Sequence, residues 1–246
     1  MKSGDVMTLD KERIRALLFD IDGTLSDTDD HMVNRLVKLL NPVLWLFKDK
    51  NPRSFAHWLI MAAESPGNFM YSSLDTIGVD KYFARLFDYR AQRKQLRRQP
   101  SDLFIILPGI KEMLADLAGH YPMAVVSARN AYSSNLFLKH FELESYFKVV
   151  VTSQTCPHTK PYPDPLLYAA HDLGVPIADC LMIGDTIVDV HAAVAAGAQS
   201  LSVLCGFGRE KELRKAGTHA ILESTSQLSH FLKGEIGGSR IENHNG

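Results

Sequence analysis

The sequence has few cysteines, little net charge and no long hydrophobic run. Its 246 residues include three cysteines, at positions 156, 180 and 205. They form no CxxC pair, which argues against a disulfide scaffold or a zinc site and favours a reducing compartment. The formal net charge is −1 at pH 7, so overall charge gives no indication of nucleic-acid or membrane binding.

The apolar segments are too short or too interrupted to cross a membrane. Lys38 and Pro42 interrupt the densest one, LVKLLNPVLWLF, whereas a spanning helix needs about 20 apolar residues. The first residues, MKSGDVMTLDKER, lack the apolar centre of a signal peptide. We therefore expect a cytoplasmic protein that has neither a membrane nor nucleic acid as partner. Its expected oligomeric state is a monomer or a homodimer.

Short apolar segments alternate with helical patterns over most of the chain. The strand-like segments are near-continuously apolar, as strands covered on both faces should be; they are ALLFDID, MAVVSAR, KVVVTS, DCLMIGD, SLSVLC and a weaker HAILES. The helical patterns between them are GIKEMLADLAGHY, AYSSNLFLKHF, PDPLLYAAHDLGV and TIVDVHAAVAAGA. This alternation predicts an α/β fold with a parallel sheet and helices on both of its faces.

One long interval interrupts the alternation. The first strand ends near Asp22, and the next clear strand begins only at Met123. A crossover needs about a dozen residues, and roughly 75 more than that lie here. Because they show helical spacing and no convincing strand, we predict a small α-helical cap domain at 26–101. The core would then comprise 1–25 and 102–233, followed by a flexible tail at 234–246.

Polar residues follow the first four predicted strands. They are Asp20 and Asp22 after the first strand, Ser127 after the second, Lys160 after the third, and Asp185 and Asp189 after the fourth. Ligands of open parallel sheets bind beyond the carboxyl ends of the strands. We therefore expect these groups to converge on one site.

Such a site suits phosphoryl transfer. Carboxylates that lie close together repel one another unless a cation compensates them, and Mg²⁺ takes oxygen ligands. Asp20 and Asp22 share a face because they are two residues apart, so one can bind metal and attack while the other handles protons. A lysine and a hydroxyl suit the remaining phosphoryl oxygens.

Four segments resemble, in order, the motifs of the haloacid dehalogenase (HAD) superfamily: DIDGTL, the serine that ends the second strand, KPYPDP and GDTIVD. The similarity is greatest to the phosphoglycolate-phosphatase-like branch. It covers about 13–25 and 103–225, including the AAVAAGA helix and the GFG and ELRKAG segments. It implies a Rossmann-like core with a helical cap, although the insert matches no substrate-specific motif.

The resemblance implies a role for each catalytic residue. Asp20 would be the nucleophile that forms an aspartyl-phosphate. Asp22 would protonate the leaving alcohol and then activate water. Lys160 would neutralise charge on the nucleophile and the phosphate, and Ser127 would hydrogen-bond the phosphoryl group.

The resemblance also implies a metal site. Asp185, with Asp20 and the backbone carbonyl of Asp22, would hold Mg²⁺. Asp189 would serve as an outer ligand or would orient Lys160.

Three further residues join Ser127 in the predicted phosphate-binding group. Gly23 and Thr24 would shape the turn that lets the backbone approach the phosphate. Arg129 lies shortly after Ser127 and is grouped here as well, with a surface position as its alternative.

The function expected from these residues is Mg²⁺-dependent hydrolysis of a small phosphorylated metabolite. A phosphomutase of the same superfamily would retain the same residues. A dehalogenase would not need the acidic Asp22, and a non-catalytic protein on this fold would not need both Asp20 and Lys160. The basic residues between Arg90 and Arg98 are typical of a solvated helix face.

Overall fold

The computed structural model of the protein describes residues 8–27 and 104–235. Within these ranges the chain forms a sheet of six strands that are all parallel, in the spatial order β3-β2-β1-β4-β5-β6. The strands are β1 (Ala16–Phe19), β2 (Met123–Val126), β3 (Val149–Val151), β4 (Cys180–Gly184), β5 (Gln199–Val203) and β6 (Ala220–Leu222). This strand order is that of Rossmann-like sheets, so the predicted fold class is confirmed.

Helices alternate along the chain with the described strands. The α-helices are α1 (Ile110–Ala118), α2 (Ala131–His140), α3 (Asp164–Leu173), α4 (Ile187–Ala196), α5 (Glu210–Ala216) and α6 (Leu228–Leu232). Short 3₁₀ turns occur at Lys11–Arg13, Glu144–Tyr146, Ile177–Asp179 and Thr225–Gln227. The six strands and the first four helices were predicted, whereas α5 and α6 were not.

The central position of β1 explains why its residues are apolar. All four are buried with an exposed fraction of 0%, because β2 and β4 flank the strand and helices cover the sheet. Leu18 packs in a cluster with Ala124 and Met182 of the neighbouring strands and with Leu166 of α3. On the other side, the ring of Phe19 meets that of Phe147 edge-on at 6.0 Å.

Strand register brings the carboxyl ends of the central strands together. Phe19 pairs with Val125 of β2 and with Ile183 of β4. The residues that follow these positions therefore leave the sheet at one edge. The order of the strands reverses between β1 and β4. Open α/β sheets bind ligands beyond the carboxyl ends of the strands at such a point.

The two chain segments that flank the predicted insert lie side by side. The Leu107 N–H donates to the Leu25 carbonyl at 3.0 Å, and the Asp27 N–H donates to the Ile105 carbonyl at 2.8 Å. The cap prediction itself, like the basic helix face and most of the predicted tail, lies outside the described residues and stays a prediction. In the described ranges, no helix has the length and apolar character required to cross a membrane.

Leu18→Ala tests the importance of the central strand. Removing this fully buried side chain should lower the free energy of unfolding by about 2–5 kcal/mol, because a cavity remains between the sheet and its helices. Urea denaturation measures the change. Leu167→Ala is the matched control, because Leu167 is 43% exposed on α3; equal losses in the two variants would contradict this account of the core.

Candidate active site

The end of β1 carries a buried ion pair. Asp20 follows the strand directly, and its N–H donates to the Ile183 carbonyl of β4 at 3.0 Å. The Lys160 Nζ lies 2.9 Å from Asp20 Oδ1 and 2.6 Å from Asp189 Oδ1. Lys160 is only 5% exposed, so the three side chains form an acid–base–acid row shielded from water.

Asp189 is fixed by the start of α4. Thr186 is the N-cap residue of this helix, and Asp189 occupies the third position in a capping box. Its Oδ2 accepts from the Thr186 N–H at 3.1 Å and from the Thr186 hydroxyl at 2.8 Å. The other carboxylate oxygen is thereby directed at Lys160. Of the two predicted roles for Asp189, this placement favours orienting Lys160.

Asp185 is enclosed by main chain from two loops. Its Oδ2 accepts from the Phe207 N–H at 2.7 Å, and the Thr24 hydroxyl lies 3.4 Å from its Oδ1. A Cβ atom added at Gly23 or at Gly206 would overlap the Asp185 carboxylate. Gly23 also has a φ of +71°, a conformation that glycine adopts without steric cost. Both glycines are therefore required for close approach.

The site concentrates negative charge away from water. Carboxylate oxygens of Asp20, Asp185 and Asp189 all lie within 4.8 Å of one another. Burial raises the pKa of Asp20 to about 7, an effect that Lys160 opposes and Asp189 reinforces. Burial also raises the pKa of Asp185 well above its ordinary value, and Asp189 adds to this rise. The cost of ionising three carboxylates together is therefore only partly offset by one lysine.

Lys160 remains a cation in this environment. Burial alone would lower its pKa, but Asp189 and Asp20 raise it above the ordinary value. A hard divalent cation would supply the remaining compensation, because carboxylate oxygens are the ligands such cations prefer. This group of carboxylate oxygens thus fits a divalent metal ion. The capping box fixes Asp189 but not Asp20 or Asp185, so the last two carboxylates are the candidate ligands.

Asp22 belongs to a neighbouring group of side chains. Its carboxylate accepts from Arg129 Nε at 2.7 Å and from Arg129 Nη2 at 2.5 Å. The backbone N–H of Arg129 in turn donates to the Ser127 hydroxyl oxygen at 3.1 Å. Because that bond uses an acceptor position of Ser127, the hydroxyl hydrogen remains able to donate elsewhere.

The structure thus brings the predicted residues together in two adjoining groups. The first comprises Asp20, Lys160, Asp185 and Asp189, with Gly23 and Thr24 packed against Asp185; the second comprises Asp22, Ser127 and Arg129. The charge of Asp22 raises the pKa of Asp20, so the two groups interact electrostatically. The roles predicted for these nine residues remain predictions.

The GFG segment after β5 was part of the family resemblance, but no role in the site was predicted for it. Gly206 and the backbone of Phe207 contact the Asp185 carboxylate, and a Cβ at Gly208 would overlap the Asp185 carbonyl. The segment GFG follows a strand at the carboxyl edge of the sheet, and that position was the available signal. The pairing of Arg129 with Asp22 was also missed, since nothing in the local sequence links them.

A cavity of about 490 Å³ lies at the opposite, amino edge of the sheet. Its lining includes Ile14 and Arg15 before β1 and Tyr121 before β2. Among residues 8–27 and 104–235, Glu12 is the only acidic one that lines it, and none of the predicted site residues does. The predicted site residues therefore lie at the carboxyl ends of the strands, away from this cavity.

Comparison with known proteins identifies the family. The profile of haloacid dehalogenase-like hydrolases matches residues 17–203. Among curated relatives, a probable phosphatase, IndB, from Dickeya dadantii is 29% identical over 86% of this chain and 90% of its own length. A phosphoglycolate phosphatase from Nitrosococcus oceani is 28% identical over 88% of this chain and 95% of that protein.

Solved structures show the same relationship. A hydrolase from Pseudomonas syringae superposes with a TM-score of 0.66 at 28% identity, over 90% of this chain and 99% of that one. The chain therefore belongs to the haloacid dehalogenase-like hydrolase family. As a member of that family it is an enzyme, a hydrolase, and the two relatives described above are named as phosphatases.

Gly206→Ala tests whether the loop after β5 holds Asp185 in place. The added methyl group would overlap the Asp185 carboxylate, which must then shift. Displacing a catalytic group by about 1 Å can reduce a rate about 100-fold, and we expect a loss of this order in hydrolysis of p-nitrophenyl phosphate. Gly119→Ala is the control, because a Cβ there meets no atom within 4 Å. Full activity in Gly206→Ala would show that Asp185 tolerates displacement.

Proposed function

We propose that this protein is a Mg²⁺-dependent phosphatase that hydrolyses a small phosphate monoester through an aspartyl-phosphate. The observation that carries the proposal is the buried row of Asp20, Lys160 and Asp189 beside Asp185 at the end of the central strand. The relatives named as phosphatases support the same reaction.

In the proposed first half-reaction, an Asp20 carboxylate oxygen attacks phosphorus. A bond forms between that oxygen and phosphorus, and the bond from phosphorus to the ester oxygen breaks. Asp22 gives a proton to the departing oxygen, which leaves as an alcohol. Lys160 holds Asp20 in place and offsets negative charge on the transferring group.

In the second half-reaction, water attacks the phosphorus of the aspartyl-phosphate. Asp22 accepts a proton from that water, and the bond from phosphorus to Asp20 breaks. Inorganic phosphate leaves and the Asp20 carboxylate is regenerated. The Ser127 hydroxyl, whose oxygen already accepts from the Arg129 N–H, would donate to a phosphoryl oxygen in both steps.

Asp20, Asp185 and the backbone carbonyl of Asp22 are the groups that we propose hold Mg²⁺. When bound there, the ion would neutralise the phosphoryl oxygens and the crowded carboxylates. Asp189 then serves to orient Lys160, through the hydrogen bonds that fix it at the start of α4.

The substrate class follows from the relatives rather than from the site alone. Those relatives include proteins named phosphoglycolate phosphatase and one named putative pyrophosphatase PpaX. We therefore propose a small phosphorylated metabolite. Phosphoglycolate, a monoester, is the first compound to assay, and cleavage of inorganic pyrophosphate instead would mean that the substrate is a phosphoanhydride.

Asp20→Asn tests the nucleophile. The amide oxygen is a far poorer nucleophile than a carboxylate, so hydrolysis of p-nitrophenyl phosphate should fall by at least about 1,000-fold. Steady-state assays measure the loss. Asp179→Asn, which removes an acid from the amino-edge ion pair with Arg13, should retain wild-type rates. An Asp20→Asn protein that is folded and fully active would refute the proposed mechanism.

Metal removal tests the proposed cofactor. Treatment with EDTA should abolish hydrolysis, and adding Mg²⁺ should restore it. Calorimetric titration of Mg²⁺ gives a readout independent of activity: Asp185→Asn should weaken binding about 10-fold or more, because a carboxylate ligand is lost. Unchanged turnover in EDTA, or equal Mg²⁺ affinity in the variant, would exclude this metal site.

A further inference from the structure

The Asp22 carboxylate is held by two parallel hydrogen bonds from one guanidinium group. Arg129 Nε and Nη2 each donate to a different oxygen of Asp22, at 2.7 and 2.5 Å. Bidentate pairs of this kind fix the rotation of a carboxylate as well as its position. The orientation of Asp22 therefore depends on where Arg129 lies.

Arg129 is itself fixed from several directions. Its backbone N–H donates to Ser127 Oγ at 3.1 Å, and its carbonyl accepts from the Ser153 N–H at 3.0 Å. The guanidinium carbon lies 5.0 Å from the ring centroid of Phe104 and 5.5 Å from that of Phe137. The guanidinium group is thus packed against aromatic rings while its donors point at Asp22.

The pairing with Asp22 uses two of the five N–H donors of the Arg129 guanidinium group. Asp22 engages Nε and Nη2, and the remaining nitrogen, Nη1, is buried and has no hydrogen-bond partner within the described part of the chain. A phosphoryl oxygen could take the Nε donor only by displacing Asp22, whereas Nη2 keeps a second N–H and both N–H groups of Nη1 are buried. A buried, unsatisfied donor also costs stability, so maximal stability does not explain this arrangement.

We infer that Arg129 is a positioning residue that orients Asp22 for proton transfer to the leaving-group oxygen. The inference rests on the proposed function, in which Asp22 exchanges protons with the alcohol and with water. It differs from the phosphate contact predicted for Arg129 from sequence. The two roles predict different kinetics, because proton donation matters most for a basic leaving group and phosphate binding matters equally for all esters.

The test compares two esters of similar size, phenyl phosphate and p-nitrophenyl phosphate. In Arg129→Gln, kcat/KM for phenyl phosphate should fall about 10- to 100-fold, because its leaving group needs the proton. For p-nitrophenyl phosphate the fall should be less than about 3-fold, since that leaving group departs without protonation. The inhibition constant of inorganic phosphate should not change. An equal fall for both esters, with weaker phosphate inhibition, would overturn the positioning role in favour of phosphate binding.

A double-mutant cycle with Asp22→Asn provides a second readout. If Arg129 acts through Asp22, adding Arg129→Gln to Asp22→Asn should lower kcat/KM for phenyl phosphate no further. Multiplicative losses would show that Arg129 acts independently and would contradict the inference. Arg129→Lys, which keeps the charge but not the paired donors, should show the same preference between esters if Arg129→Gln fails to fold.

Arg13→Gln is the matched control for these variants. Arg13 also pairs with an aspartate, Asp179, at 2.8 Å, but at the amino edge of the sheet. It should leave the ratio between the two esters unchanged. If the wild-type protein cleaves neither ester, the result counts against the proposed function itself. If the wild-type protein cleaves both esters and the Arg129→Gln variant has the same activity, only the role of Arg129 is refuted.

Discussion

The site depends on one buried cation placed between two buried carboxylates. Lys160 contacts Asp20 at the end of β1 and Asp189 at the start of α4, so a single ammonium joins the central strand to a helix across the site. Without it, three carboxylates whose oxygens lie within 4.8 Å of one another would face severe repulsion in a medium of low dielectric. The capping box that fixes Asp189 thus also helps to fix Asp20, the proposed nucleophile, through Lys160.

The sheet makes this arrangement possible because its strand ends are rigid. The four residues of β1 are fully buried. Three of them, Leu17, Leu18 and Phe19, pair with parallel neighbours on both sides, so Asp20 has little freedom to move. On the loops, Gly23 and Gly206 let two main-chain segments approach Asp185 closely, because neither residue has a side chain that would intervene. Asp20 and Asp185 thus follow strand ends directly and Asp189 lies on α4, while the turns supply closely packed backbone around Asp185.

Much of this could be predicted from sequence, and the remainder has a physical explanation. The six strands could be predicted because buried parallel strands are continuously apolar. The polar residues after them indicated a candidate site, because the carboxyl ends of parallel strands lie at the same end of a sheet. The pairing of Arg129 with Asp22 could not be predicted from the sequence. The two residues are 107 positions apart, and only the geometry of the folded side chains brings them together. The short helices α5 and α6 escaped prediction because five to seven residues contain too few turns for a clear period.

Trapping the covalent intermediate tests the central claim most directly. Acid quenching of the enzyme during turnover of p-nitrophenyl phosphate, followed by borohydride reduction and peptide sequencing by mass spectrometry, locates any aspartyl-phosphate. The account predicts a reduced aspartate at position 20 alone, in the peptide that follows β1. Modification at another acid, or sustained turnover with no trapped phosphoenzyme, would contradict the assignment of Asp20 as the nucleophile held by Lys160.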